Sequence, residues 1–139
     1  MSQPGLGVMI NYLGYAPDKK AIAALDAALA ERKRIKSISI TDDQLKLVFG
    51  DDTGFVLWDN GQSCCERRYM HTDDDLQSLV GQCLVSIDVE TGESGESEWG
   101  EEKEVQFLKI QTDQGFATVA NYNVHNGYYG GFALNIDSI

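Results

Sequence analysis

Positive charge is what this sequence has least of. Eleven lysines and arginines face 22 aspartates and glutamates, a formal charge of -11 over 139 residues. That excess repels phosphate backbones and anionic bilayers at long range, which argues against nucleic acid or a membrane as a direct partner. No apolar run approaches the roughly 20 residues of a spanning helix. The opening "MSQPGLGVMINYLG" has no basic segment ahead of its short apolar stretch, so a secretory leader is not expected. Cysteines number three, and two of them, Cys64 and Cys65, are neighbours. A disulfide framework is therefore disfavoured and a reducing cytoplasm is the expected home.

A chain of this length buries a core without disulfides or metal, so one domain over residues 1–139 is expected. An N-terminal arm and helix occupy 1–34, and a β-rich core fills 35–139. In "APDKKAIAALDAALAERKRI", Pro17 and Asp18 suit a helix start, while Ile22, Leu25 and Leu29 fall on one face, widened by Ala21, Ala24 and Ala28. Arg32, Lys33 and Arg34 suit the carbonyl end of that helix.

From Lys36 the period becomes two. "SISI", "LKLVF" and "GFVLW", separated by "TDDQ" and "GDDTG", predict a three-stranded antiparallel meander. "CLVSIDVE" is a further strand, "VQFLKIQT" and "FATVANYN" form a hairpin across Asp113-Gln114-Gly115, and "GGFALNID" is the last strand. "TGESGESEWG", residues 91–100, is polar and reads as a mobile acidic loop. The expected class is α+β: a twisted antiparallel sheet or partial barrel of about six to seven strands, with the N-terminal helix packed on it and one short capped helix.

Chemistry concentrates in "SCCERRYMHTDDDL", residues 63–76. Thr72 followed by Asp75 predicts a helix cap, with Asp73 and Asp74 in the first turn and Gly81 as the stop. Clustered carboxylates could take a cation, but the spacing lacks the alternation of a calcium loop. Cys64 and Cys65 with His71, Cys83 or His125 have ligand types suited to zinc, yet neighbouring cysteines lack the usual gap. No metal and no cofactor are expected. Cys64 or Cys65 with His125 could form a nucleophilic pair, but no catalytic signature surrounds them, and buried thiols are the plainer reading. Arg67 and Arg68 beside Tyr69 suit either pairing with nearby acids or capture of a small anion with a stacked ring. The second dense stretch is "NYNVHNGYYGGF", residues 121–132: Asn126-Gly127 is a turn signal, and His125, Tyr128 and Tyr129 offer a contact surface.

"GQSCCERRYMHTDDDL" and "HNGYYGGF", linked by "EVQFLKIQTDQGF", resemble a family of small uncharacterised proteins of phages, prophages and their bacterial hosts. The resemblance covers about residues 35–136 and leaves the N-terminal helix outside. The family's second motif commonly reads His-Asn-Glu-His-Asn-Gly-Tyr-Tyr-Gly-Gly-Phe. Tyr122 and Val124 stand here in place of its first histidine and its glutamate, while Asn123 and His125 to Phe132 match. A His-Glu chemistry or two-histidine metal site would be lost with those residues; a binding role would survive.

The resemblance implies a non-enzymatic accessory protein of a mobile element, working in the host cytoplasm. The leading expectation is an acidic anti-defence inhibitor of a host nucleic-acid-handling complex such as a CRISPR effector. Its surface would comprise Asp73, Asp74, Asp75, Glu98, Glu101, Glu102 and Glu104. The alternative is a protein that sequesters a small anionic, nucleotide-like ligand, with Arg67, Arg68, Tyr69, His125, Asn126, Tyr128 and Tyr129 as binding residues. A hydrolase using the cysteines and His125 is the third. An exposed sheet edge would allow a homodimer.

Overall fold

The alternating segments form nine antiparallel strands among the residues described by this computed structural model, which are 19–59, 66–92, 95–96, 102–125, 132 and 134–139. Helix α1 (Lys19–Glu31) is followed by β1 (Ile35–Thr41), β2 (Gln44–Phe49), β3 (Gly54–Asp59) and β4 (Glu66–His71). A 3₁₀ turn (Leu76–Leu79) then leads to β5 (Leu84–Thr91), β6 (Gly95–Glu96), β7 (Glu102–Thr112), β8 (Phe116–His125) and β9 (Leu134–Ser138). The expected single sheet of six or seven strands is instead two sheets. One runs β1-β2-β3-β9; the other runs β4-β8-β7-β5, with β6 also pairing β7. No closed barrel forms among these strands.

Each sheet contributes one apolar face to a shared core. Ile38, Leu47 and Phe55 lie side by side across the first sheet, as do Leu45, Leu57 and Ile136, and all are fully buried. The second sheet adds Ile87, Val89, Leu108, Ile110, Ala117 and Val119. Helix α1 buries Ala21, Leu25, Ala28 and Leu29 in the same cluster, with Ile22 and Ala24 partly covered. This is the expected stripe at the 3.6-residue period. Pro17 and Asp18 lie outside the described residues. The helix ends before the basic cluster: Arg32 takes a positive φ of 48°, and the Lys33 amide donates back to the Ala28 carbonyl at 3.0 Å.

The sheets meet along one corner. Arg34 bridges Cys83, Ile35 N–H donates to the Gln82 carbonyl (2.8 Å), and Leu84 N–H donates to the Lys33 carbonyl (2.9 Å). Both β1 and β5 lose regular register there, between Ile35 and Ser37 and between Leu84 and Ser86. Such irregularities bend and twist strands, and here they let the chain turn from one sheet into the other.

The turns follow local chemistry. Asp42 and Asp43 both adopt positive φ (52° and 58°), as a two-residue hairpin requires of its central pair. Thr112 Oγ1 accepts the Gly115 amide (2.9 Å) in the expected 113–115 turn. The cap after β4 differs from expectation. Thr72 Oγ1 accepts from the Asp74 amide (3.1 Å) and donates to the Thr118 carbonyl (2.7 Å), so it ties the loop to β8. Asp75 takes the capping role, accepting from Gln77 N–H at 3.1 Å, and the helix is a single 3₁₀ turn that Gly81 (φ 90°) stops. Within the expected loop at 91–100, Gly95 and Glu96 pair with β7, opposite Lys103 and Glu102.

Two predictions follow from this packing. A Cβ on Gly54 would lie 2.2 Å from the Leu47 carbonyl oxygen, whereas one on Gly95 would meet nothing within 4 Å. Gly54→Ala should therefore cost about 1–3 kcal/mol in denaturant unfolding, while Gly95→Ala stays near wild type. In the β2–β3 turn, Lys33 Nζ (2.7 Å) and Thr53 hold the Asp51 carboxyl well below the usual carboxylate range. A depressed native pKa contributes stability above the unfolded value of roughly 3.9 and loses it as pH falls towards the native value. Asp51→Asn should lower the melting temperature at pH 6, and the gap from wild type should narrow steadily below pH 4.

A candidate binding site in the polar layer between the sheets

The inward face of the second sheet changes character along its strands. Successive cross-strand neighbours on β7 and β8 run Ile110 with Ala117, Leu108 with Val119, Gln106 with Asn121, Glu104 with Asn123, and Glu102 with His125. The first two rows belong to the apolar core; beyond them Gln106, Asn121, Asn123 and His125 are all at most 2% exposed. Polar side chains at buried, inward positions need partners.

One partner comes from the opposite sheet. Asp59, at the end of β3, receives Arg68 Nη1 on both carboxylate oxygens at 2.8 and 2.9 Å, with side-chain exposures of 3% and 7%. Asn121 Nδ2 donates to Asp59 Oδ2 at 3.3 Å and to Gln106 Oε1 at 3.4 Å. Beside this group the Met70 amide on β4 donates to Asp43 Oδ1 (3.1 Å), which fastens the edge strand to the β1–β2 turn. At the outer end of the layer His125 Nε2 lies 2.8 Å from Glu104 Oε1 and 3.9 Å from Glu102 Oε2.

Two wholly buried atoms in the middle row lack a hydrogen-bond partner: Gln106 Nε2, a donor, and Asn121 Oδ1, an acceptor. Each such group costs about 1–3 kcal/mol relative to a satisfied one. Gln106 and Asn121 are direct cross-strand neighbours, so a group offering both an acceptor and a donor is what these two atoms lack.

Strand alternation separates the residues expected to converge. Arg68 and His125 face the interior, while Arg67 and Tyr69 face outward. Tyr69 stacks on Tyr122, its cross-strand neighbour, at 4.9 Å; Arg67 lies 5.3 Å from the Tyr69 ring centre and Lys103 4.5 Å from that of Tyr122. Neighbours in a strand cannot line one pocket, because successive side chains leave opposite faces. The same alternation places positions 122 and 124 on the outer face, across the sheet from His125. A histidine at 122 would therefore not have met His125.

The acidic residues are likewise divided. Asp73 pairs with His71 (2.9 Å), Asp74 accepts the Thr118 amide (2.8 Å), and Asp75 caps the 3₁₀ turn. Glu102 is exposed and Glu104 turns toward His125. Asn126, Tyr128, Tyr129, Glu98, Glu101, Cys64 and Cys65 lie outside the described residues. Cys83 is partly buried at the corner between the sheets, and its backbone amide donates to Asp113 Oδ1 at 3.0 Å. Sequence reasoning missed Asp59, Gln106 and Asn121. For the last two a signal existed: period-two reading back from Leu108 reaches Gln106, and period-two reading on from Val119 puts Asn121, Asn123 and His125 on its face.

The family model for a domain of unknown function, DUF7448, matches residues 29–134. The chain belongs to that family. The match takes in β1 through β8 and the start of β9, so every residue of the polar layer named above lies within the family domain. No curated protein and no solved structure matches the chain. Among the described residues, no helix is long and apolar enough to cross a membrane.

The ion pair joining the sheets generates a stability prediction. Arg68→Met leaves the Asp59 carboxylate buried without its guanidinium and should cost about 3–5 kcal/mol. The double variant Asp59→Leu/Arg68→Met should cost less than Arg68→Met alone, as read in denaturant unfolding.

Proposed function

We propose that the protein is a non-enzymatic binding protein whose polar layer takes a small neutral guest presenting adjacent hydrogen-bond donors and acceptors. A nucleobase or nucleoside is the commonest biological molecule of that kind. The carrying observation is the pair of wholly buried, unpartnered amide atoms, Gln106 Nε2 and Asn121 Oδ1. The commitment of Arg68 to Asp59 favours a neutral guest over the anionic one expected from sequence, because the guanidinium is already engaged by a carboxylate. The overall charge of -11 favours the free nucleoside over a polynucleotide.

A second reading keeps the acidic inhibitor of a host nucleic-acid-handling complex, in the setting of a phage or prophage. It is favoured by the exposure of Asp73, whose side chain is 95% accessible. It draws less support from Asp74 and Asp75, whose carboxylates serve the loop's own hydrogen bonds.

Gln106→Met separates a binding layer from a purely structural one. Replacing the amide removes an unsatisfied buried donor along with the 3.4 Å contact from Asn121, whose Nδ2 keeps Asp59, so the melting temperature of the ligand-free protein should stay near wild type. Thermal stabilisation by a panel of nucleosides and free bases should be present in wild type and lost in this variant. A clear drop in melting temperature, with no nucleoside or base stabilising wild type, would count against the binding role.

A further inference from the structure

We infer that Glu102, Glu104 and His125 form a binding site for a first-row divalent transition metal, with zinc as the best-matched ion. The three residues offer ligand atoms that all lie within 4.8 Å of one another. Sheet geometry brings them together: Glu102 and Glu104 are two apart on β7 and so share a face, and His125 is the direct cross-strand neighbour of Glu102. Donors bonded at about 2.0–2.1 Å to one tetrahedral zinc stand roughly 3.3 Å apart. The separations from His125 Nε2, 2.8 Å to Glu104 and 3.9 Å to Glu102, bracket that spacing, so small side-chain rotations suffice.

Burial differs usefully among the three. The imidazole is 2% exposed and fixed by the strand, Glu104 is 26% exposed, and Glu102, at 58%, opens to solvent and provides an entry path. One imidazole and two carboxylates suit zinc over magnesium or calcium, which favour all-oxygen shells. Three protein donors leave a tetrahedral ion one position for water or a guest atom. A second observation is compatible with a bound group nearby: on the same face, one row beyond Glu104 and two beyond Glu102 and His125, Gln106 Nε2 and Asn121 Oδ1 are wholly buried and lack protein partners. A metal-bound water or guest atom is the type of group such atoms satisfy.

The metal inference stands apart from the nucleoside reading, because it is tested with the ion alone. Titration calorimetry of the full chain with zinc should show one equivalent bound. Glu102→Gln, at an exposed position, and Glu104→Gln should each weaken binding by about tenfold or more. His71→Ala, on the outer face beside Asp73, should leave it unchanged. The cobalt-substituted protein should lack the thiolate charge-transfer band that cysteine ligation produces. No binding by wild type, unchanged affinity in both glutamine variants, or a strong thiolate band would each overturn the assignment.

Discussion

The contact between Asp59 and Arg68 is the constraint around which the polar half of this molecule is arranged. It joins the end of β3 in one sheet to β4, an edge strand of the other, at the side away from the β1–β5 corner. The corner is held by backbone hydrogen bonds, while this second seam is held by side chains: the ion pair, and Asp43 on the Met70 amide. A buried ion pair is a costly fastener, since desolvation consumes much of its attraction. Its retention makes most sense where it also orients something else. Here the Asp59 carboxylate receives Asn121, and Asn121 in turn contacts Gln106, so the ion pair sets the position of both unsatisfied amides.

That arrangement divides the inter-sheet space by chemistry. Leu108, Val119 and their neighbours supply the hydrophobic stabilisation that any two-layer fold needs. The Gln106, Glu104 and Glu102 rows depart from it, with buried polarity that contributes little to folding. A layer that holds fully buried, unsatisfied atoms such as Gln106 Nε2 and Asn121 Oδ1 is a departure from local consistency, and such departures are expected where a protein binds something. The outer face is the opposite case. There the Arg67, Tyr69, Tyr122 and Lys103 stack satisfies itself through ring and cation contacts and leaves an ordinary solvated surface.

Much of the fold was legible from residue patterns. The alternation of Ile38 and Ile40, of Leu45 and Leu47, and the aspartate pairs between them defined the meander, because a period of two and residues tolerant of positive φ are local properties. The division into two sheets was not legible. It depends on irregular register at Ile35 and Leu84 and on a corner between residues far apart in sequence. The cap moved from Thr72 to Asp75 for a similar reason: Thr72 was drawn away by Thr118, a partner on a distant strand. For the site, grouping Arg67, Arg68 and Tyr69 by adjacency put outward and inward residues together. Alternation would have separated them, and it would also have aligned Asn121, Asn123 and His125. Asp59 carried no such mark, since a single aspartate at a strand end most often closes a turn.

The central claim is that the buried amides of Gln106 and Asn121 face a guest. Native mass spectrometry of the full chain, equilibrated with a cell extract and compared with the Gln106→Met variant, tests it most directly. The account predicts a small-molecule adduct on wild type that dissociates on denaturation and is missing from the variant. Bare polypeptide mass for both proteins, or an identical adduct on both, would contradict it.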